Sequence, residues 1–299
     1  MNRPMPRTID EYLDQLRRAL HGEDPALIQD ALYDAEDHLR SEFAENPNVP
    51  PAELLARIAS SYGAPEEVAE IYRDKEVIVN RALRTPRPPP AKSAYARFFG
   101  VIFDPRAWAS VFYMLLALPT GIFYFTWAVT GLSLSLGLMV LIIGLPFAAL
   151  FLATVRALSL VEGRIIEVML GERMPRRPPY PSRDESLLEK VKRLFTDVRT
   201  WSTLFYMVLM LPLGIFFFTL AVSCISIGTS LAVGPIANAL LDTDVFGIHY
   251  NGVAVAGPLW LQPLLMLVGV VILFGFMHLA RGIGKLQGAM AKQLLVYSS

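Results

Sequence analysis

Two stretches without a single charged side chain, Ala107–Val155 and Trp201–Leu241, constrain this chain more than any other feature. A helix rises about 1.5 Å per residue and a bilayer core is about 30 Å thick, so each stretch exceeds one membrane crossing. A purely soluble fold is excluded, and the expected class is an all-α integral membrane protein. The lone Cys224 rules out an internal disulfide, a CxxC pair and a thiolate metal cluster. Zero net charge conceals a division. Residues 1–84 carry 10 basic and 17 acidic side chains (−7), and the remainder 17 and 10 (+7). With no basic surplus overall, direct nucleic-acid binding is not expected.

The acidic segment reads as a small helical bundle. Met1–Tyr12 has no apolar h-region, so no secretory signal is expected to carry this segment out of the cytoplasm. Thr8 and Glu11 are spaced as a capping box, followed by Tyr12, Leu13, Leu16 and Leu20 on one face. Asp24-Pro25 opens a second helix, with proline at the first helical position. Its apolar stripe is Ile28, Leu32, Ala35, Leu39 and Phe43, and Asn46-Pro47 ends it. A third helix carries Leu54, Leu55 and Ile58 and stops at Gly63. A fourth, starting near Pro65, carries Val68, Ile71, Tyr72, Val77 and Ile78. Opposite the second stripe stand Asp30, Asp34, Asp37 and Glu45. They form a solvated face, a cation site or a surface for a basic partner; the candidate partner surface is Asp30, Asp34 and Asp37. His38, on the flank, brings no spaced ligand set with it.

This segment resembles the bacterial HAAS signalling domain over roughly residues 8–75. The resemblance lies in Tyr12-Leu13 with Leu16, in Asp34–Leu39, and in Gly63-Ala64-Pro65-Glu66-Glu67-Val68-Ala69. It implies a regulatory module, often encoded beside a PadR-like transcription regulator, and supplies no catalytic residues.

Thr85-Pro86-Arg87-Pro88-Pro89-Pro90 predicts an extended spacer. Beyond it, Tyr95, Phe98, Phe99, Val101 and Ile102 suggest a helix lying among lipid headgroups. The membrane part then repeats itself 93 residues on. Asp104, Arg106, Trp108, Phe112-Tyr113-Met114, Leu118-Pro119, Gly121-Ile122-Phe123, Phe125-Thr126 and Val129 recur as Asp197, Arg199, Trp201, Phe205-Tyr206-Met207, Leu211-Pro212, Gly214-Ile215-Phe216, Phe218-Thr219 and Val222. The headgroup helix recurs as Leu187, Leu188, Val191, Leu194 and Phe195, preceded by a Ser182/Glu185 capping pair. Both copies start with arginine and then tryptophan, so both enter the bilayer from one side and form parallel repeats. Spans are expected near 108–131, 132–158, 201–223 and 259–280. Four spans leave Lys and Arg on the cytoplasmic side alone, with Ile225–Leu241 re-entrant or on the outer surface.

The expected organisation is a signalling-like bundle at 1–84, a Pro-rich linker at 85–93, repeat 1 at 94–175 and repeat 2 at 176–299. Repeat 2 holds an inserted outer segment at about 225–258. There Val245–Tyr250 and Val253–Gly257 flank Asn251-Gly252, a signal for an extracytoplasmic β-hairpin. Asp242, Asp244 and His249 are either ordinary loop polarity or an outer pH- or cation-sensing spot.

Pro119 and Gly121, matched by Pro212 and Gly214, mark kinks near mid-membrane, and Thr126, matched by Thr219, lies near the outer end, where it can bond across the repeats or back to its own helix. The kinks either open a cavity for a lipid-like ligand or let two related helices pack. No Asp, Glu or Lys lies in an expected span, which disfavours ion-coupled transport. HExxH, Walker A and GxSxG are absent, so no catalytic, cofactor or metal residues are assigned.

The unit Trp-x4-Tyr-Met … Leu-Pro-x-Gly-Ile-Phe-x-Phe-Thr, with Val129-Thr130-Gly131-Leu132-Ser133 and Gly144-Leu145-Pro146, is similar to the bacterial Putative sensor domain over about 95–295. That family stands at the N-terminus of some histidine kinases. With no kinase after Ser299, output is expected through the acidic module or a partner protein. The expectation is a non-catalytic sensor of the bacterial inner membrane, with both termini cytoplasmic. Membrane lipid and a cytoplasmic protein, PadR-like by resemblance, are the expected partners, and an oligomer is compatible. The alternative is a transporter or accessory subunit for lipid or hydrophobic compounds, using the Pro119/Pro212 cavity.

Overall fold

A computed structural model describes residues 6–83, 93–140, 144–177, 192, 195–241, 249–250, 253–254 and 261–296. Thr85–Pro90 with most of the linker, Asp242, Asp244, Asn251-Gly252 and most of the second headgroup helix fall outside them. The chain divides into two compact units. One comprises residues 1–85, 131–204 and 290–299, the other 86–130 and 205–289.

The first unit contains the amino-terminal bundle: α1 (Ile9–Ala19), α2 (Pro25–Glu45), α3 (Pro51–Ser61) and α4 (Pro65–Leu83). Their ends follow the sequence signals. The Thr8 hydroxyl accepts the Glu11 N–H at 3.1 Å, while the Glu11 carboxylate turns back to the N–H of Arg7 at 2.7 Å. Asp24 caps α2 by accepting the Ala26 N–H at 2.9 Å. Gly63 takes φ +117°, which frees its carbonyl to accept the Tyr12 hydroxyl at 2.7 Å. The core is Tyr12, Leu16, Leu20, Leu27, Ala31, Ala35, Leu39, Leu54, Leu55, Ile58, Val68 and Ala69. On α4 the expected stripe is corrected: Ile71, Val77 and Ile78 are exposed, because Val68, Ala69 and Tyr72 form the inward face. His38 is half-buried and stacks on Tyr62 at 4.3 Å.

Among the described residues, four helices are long and apolar enough to cross a membrane: α6 (Pro105–Leu138), α7 (Gly144–Leu170), α8 (Val198–Leu241, whose candidate span is Val198–Ala237) and α9 (Gln262–Leu295). A short helix, α5 (Ala94–Phe99), and a 3-10 turn at Gly100–Phe103 precede α6. Tyr95 and Phe103 are strongly exposed there.

Three expected boundaries are corrected. The first span does not end at residue 131; α6 continues to Leu138, with the Ser135 hydroxyl bonding back to the Gly131 carbonyl at 2.6 Å. Ile225–Leu241 is not a re-entrant segment, because it continues α8, one helix of 44 residues. At about 1.5 Å per residue that helix reaches about 66 Å, twice the hydrocarbon thickness. Gly228 and Pro235 do not end it. Gly228 instead admits Leu273 of α9 to its backbone, where a Cβ would come within 2.7 Å. The helix of the last span extends past residue 280 to Leu295.

The second unit packs α6, α8 and α9 around Val111, Met114, Ala117, Phe217, Ala221, Phe276 and Ala280. Arg281 of α9 pairs with Asp104 at 3.1 Å. Residues His249–Tyr250 and Val253–Ala254 form a two-residue antiparallel ladder.

Candidate functional site

Helix α2 turns Leu27, Ala31, Ala35 and Leu39 inward. Asp30 stands between them, three residues after Leu27, and is 6% exposed. A bare carboxylate in that position would forfeit several kcal/mol of hydration. Three donors offset the loss, all from the segment following α7. The Arg173 guanidinium reaches Asp30 Oδ2 at 2.9 Å, and the backbone N–H groups of Arg176 and Arg177 reach Oδ1 at 2.7 and 2.9 Å.

Arg173 is itself 6% exposed and gathers two further carboxylates, Glu76 of α4 at 3.2 Å and Glu167 of α7 at 3.6 Å. Its Nη1 also donates to the Met174 carbonyl at 2.5 Å. Glu167 is shared with Arg176 at 3.3 Å and with Arg164. Burial pushes the Asp30 carboxyl above the usual carboxylate range, against the pull of the Arg176 N–H and the Arg173 guanidinium. Burial would lower the Arg173 guanidinium, but Asp30 and Glu76 outweigh it and hold it charged.

The segment continues along α2. Arg177 Nε pairs with Asp34 at 3.1 Å, and its guanidinium lies 5.3 Å from the centroid of the Tyr33 ring. The Tyr72 hydroxyl donates to the same Asp34 carboxylate at 2.9 Å. Gln29 donates its amide to the Arg177 carbonyl and accepts from Arg199, at the start of α8, at 2.9 Å. Lys292, near the end of α9, pairs with the α2 cap Asp24 at 2.5 Å. Residues of α2 thus meet the chain after α7, the start of α8 and the end of α9, all within the first unit.

This corrects the reading of a solvated acidic face opposite the stripe. Asp30 and Asp34 are engaged by the chain's own arginines, whereas Asp37 and Glu45 are exposed. The partners missed from sequence are Gln29, Glu76, Arg173, Arg176, Arg177, Arg199 and Lys292. One signal was available: a stripe drawn through Leu27 and Ala31 puts Asp30 on the buried side. Among the described residues no group of three or more His, Cys, Asp or Glu is placed to hold a metal ion. Glu162 and Glu167 lie buried in the last turns of α7, beyond the span expected at 132–158.

The mid-membrane candidates separate. Gly121 and Gly214 are buried at a crossing of α6 and α8, while Pro119, Pro212, Thr126 and Thr219 face outward. A Cβ on Gly121 would fall within 3.0 Å of the Met210 carbonyl, and one on Gly214 within 3.0 Å of the Ala117 carbonyl. Backbones touch here, the close approach that the packing alternative calls for at these glycines. Local geometry also recurs 93 residues apart. The Trp108 indole donates to the Ile102 carbonyl at 2.8 Å, and Trp201 to Phe195 at 2.7 Å. Asp104 caps the Arg106 N–H and Asp197 the Arg199 N–H, both at 3.0 Å. Of the outer-spot residues, His249 has its backbone in the ladder, and Asp242 and Asp244 lie outside the described residues.

Four long apolar helices among the described residues, joined to a small polar bundle, mark a membrane protein. Residues 113–295 match the family described as Putative sensor, and residues 11–71 match HAAS. The first match covers more than half of the chain, which therefore belongs to the Putative sensor family and carries a HAAS domain before it. No curated protein and no solved structure matches it.

Proposed function

We propose that this protein is a non-catalytic sensor of the bacterial inner membrane, with both termini in the cytoplasm. In this reading the membrane helices register an envelope or lipid signal and pass it through the HAAS bundle to a cytoplasmic partner. The observation that carries it is the tie between α2 and three membrane-helix ends, through Arg173, Arg199 and Lys292. A shift of those ends changes which carboxylates of α2 are covered. Coupling of this kind needs a ligand that binds two states of the helices unequally.

The recurring contacts at Trp108/Trp201, Asp104/Asp197 and Gly121/Gly214 support two parallel repeats related by an axis along the membrane normal. A PadR-like regulator is the partner that the HAAS resemblance favours. The test is deletion of residues 1–84. Capture of the partner should be lost while membrane insertion persists; retained capture removes the HAAS bundle from the output route.

A further inference from the structure

Resting on that reading, the contact on α2 also specifies what kind of partner the surface fits. Arg173–Arg177, with the sequence Arg-Met-Pro-Arg-Arg, is not helical and lies along α2 as a bound peptide would. Its recognition is divided between backbone and side chain. One buried carboxylate, Asp30, takes two successive backbone N–H groups and a guanidinium. A second, Asp34, takes the last arginine, whose plane covers Tyr33. Gln29 holds the last carbonyl.

Such a constellation selects a non-helical segment with arginines four residues apart, bent where two successive N–H groups meet one carboxylate oxygen. It rejects lysine at the buried position, because an ammonium lacks the planar fork that reaches Asp30 and Glu76 together. We propose that α2 is a receptor for a non-helical arginine-bearing segment of the regulatory partner. The chain's own Arg173–Arg177 then occupies that receptor as a tethered competitor. Tethering supplies an effective concentration on the order of millimolar, so a free peptide competes poorly until the tethered copy is displaced.

The experiment uses the full chain in detergent and a fluorescent peptide, Gly-Glu-Arg-Met-Pro-Arg-Arg-Pro, read by anisotropy. In the Arg173→Ala, Arg177→Ala chain the peptide should bind at least about tenfold more tightly than to the wild type. Adding Asp30→Asn, or replacing both end arginines of the peptide by lysine, should abolish the gain. Removing Arg173 strands carboxylates and can unfold the bundle. A second chain with Arg173→Ala, Arg177→Ala and Glu167→Gln reduces that hazard while keeping Asp30 and Glu76 for the peptide, with helix content checked by circular dichroism. No binding to either opened chain, or equal binding after Asp30→Asn, overturns the proposal. That failure is distinct from failure of the sensor reading, because deleting residues 1–84 would still abolish partner capture if only the recognition chemistry were wrong.

Discussion

Gly121 and Gly214 make reciprocal contacts. Each lies against the carbonyl of the residue four positions before its counterpart, Gly121 on Met210 and Gly214 on Ala117. The two glycines are 93 residues apart, and so are Ala117 and Met210. One close crossing of α6 and α8 is therefore built twice over. Gly121→Ala and Gly214→Ala should each cost about 1–3 kcal/mol, since backbone, rather than a flexible side-chain tip, blocks the new methyl. The double variant should cost less than the sum, because the helices part only once. Gly137, with open space around it, is the control: alanine there should be neutral or stabilise by up to about 1 kcal/mol. Unfolding midpoints in one detergent compare all four.

Arg173 neutralises a site where Asp30, Glu76 and Glu167 converge. Arg173→Ala should destabilise the bundle by about 3–5 kcal/mol, most of it the cost of leaving buried carboxylates without a counter-charge. Combining Arg173→Met with Asp30→Asn, Glu76→Gln and Glu167→Gln should recover most of that loss. Chemical denaturation followed by circular dichroism measures both.

Asp24 has two separable duties, capping α2 with one carboxylate oxygen and meeting Lys292 with the other. Asp24→Asn should keep the cap and lose the ion pair, worth about 1 kcal/mol or less at this partial exposure. Asp24→Ala should lose both, at about 1–2 kcal/mol. Lys292→Met should match Asp24→Asn in thermal unfolding and add nothing to it.

Alkaline pH should loosen the HAAS bundle through its tyrosines. Burial raises the Tyr12 phenol above its ordinary value, and Tyr62 and Tyr72 are raised likewise, Tyr72 with further help from Asp34. A group whose folded pKa lies above its unfolded one stabilises fully below the unfolded value, about 10. That stability is lost as pH climbs toward the folded value. Tyr12→Phe should lower stability at neutral pH by about 0.5–1.5 kcal/mol, through loss of the hydrogen bond to Gly63. It should also flatten the alkaline decline. Tyrosinate absorbance with far-UV circular dichroism between about pH 8 and 12 reads both effects.

Local chemistry was legible and long-range charge pairing was not. Thr8, Asp24-Pro25 and Gly63 act within a few residues of the ends they define, so their spacing sufficed to place α1 to α4. Helix ends inside the apolar stretches carried no local signal. Without competing water a helix continues through glycine and proline, and at Gly228 the missing side chain serves packing against Leu273 rather than a turn. Helical periodicity offered two stripes for α2, through Ile28 or through Leu27, and only the second turns Asp30 inward. Nothing local ties Asp30 to an arginine 143 residues away. The Arg-Met-Pro-Arg-Arg run was visible, but it has the composition of any cytoplasmic flank of a span.

Hydrogen–deuterium exchange on the full-length protein, wild type against Arg173→Ala, tests most directly whether the arginine segment holds α2 to the membrane-helix ends. Protection at residues 25–45 and 172–177 should fall by about tenfold or more in the variant. Protection of α6 and α8 at the Gly121/Gly214 crossing should stay unchanged. Equal protection of α2 in the two proteins would contradict the account.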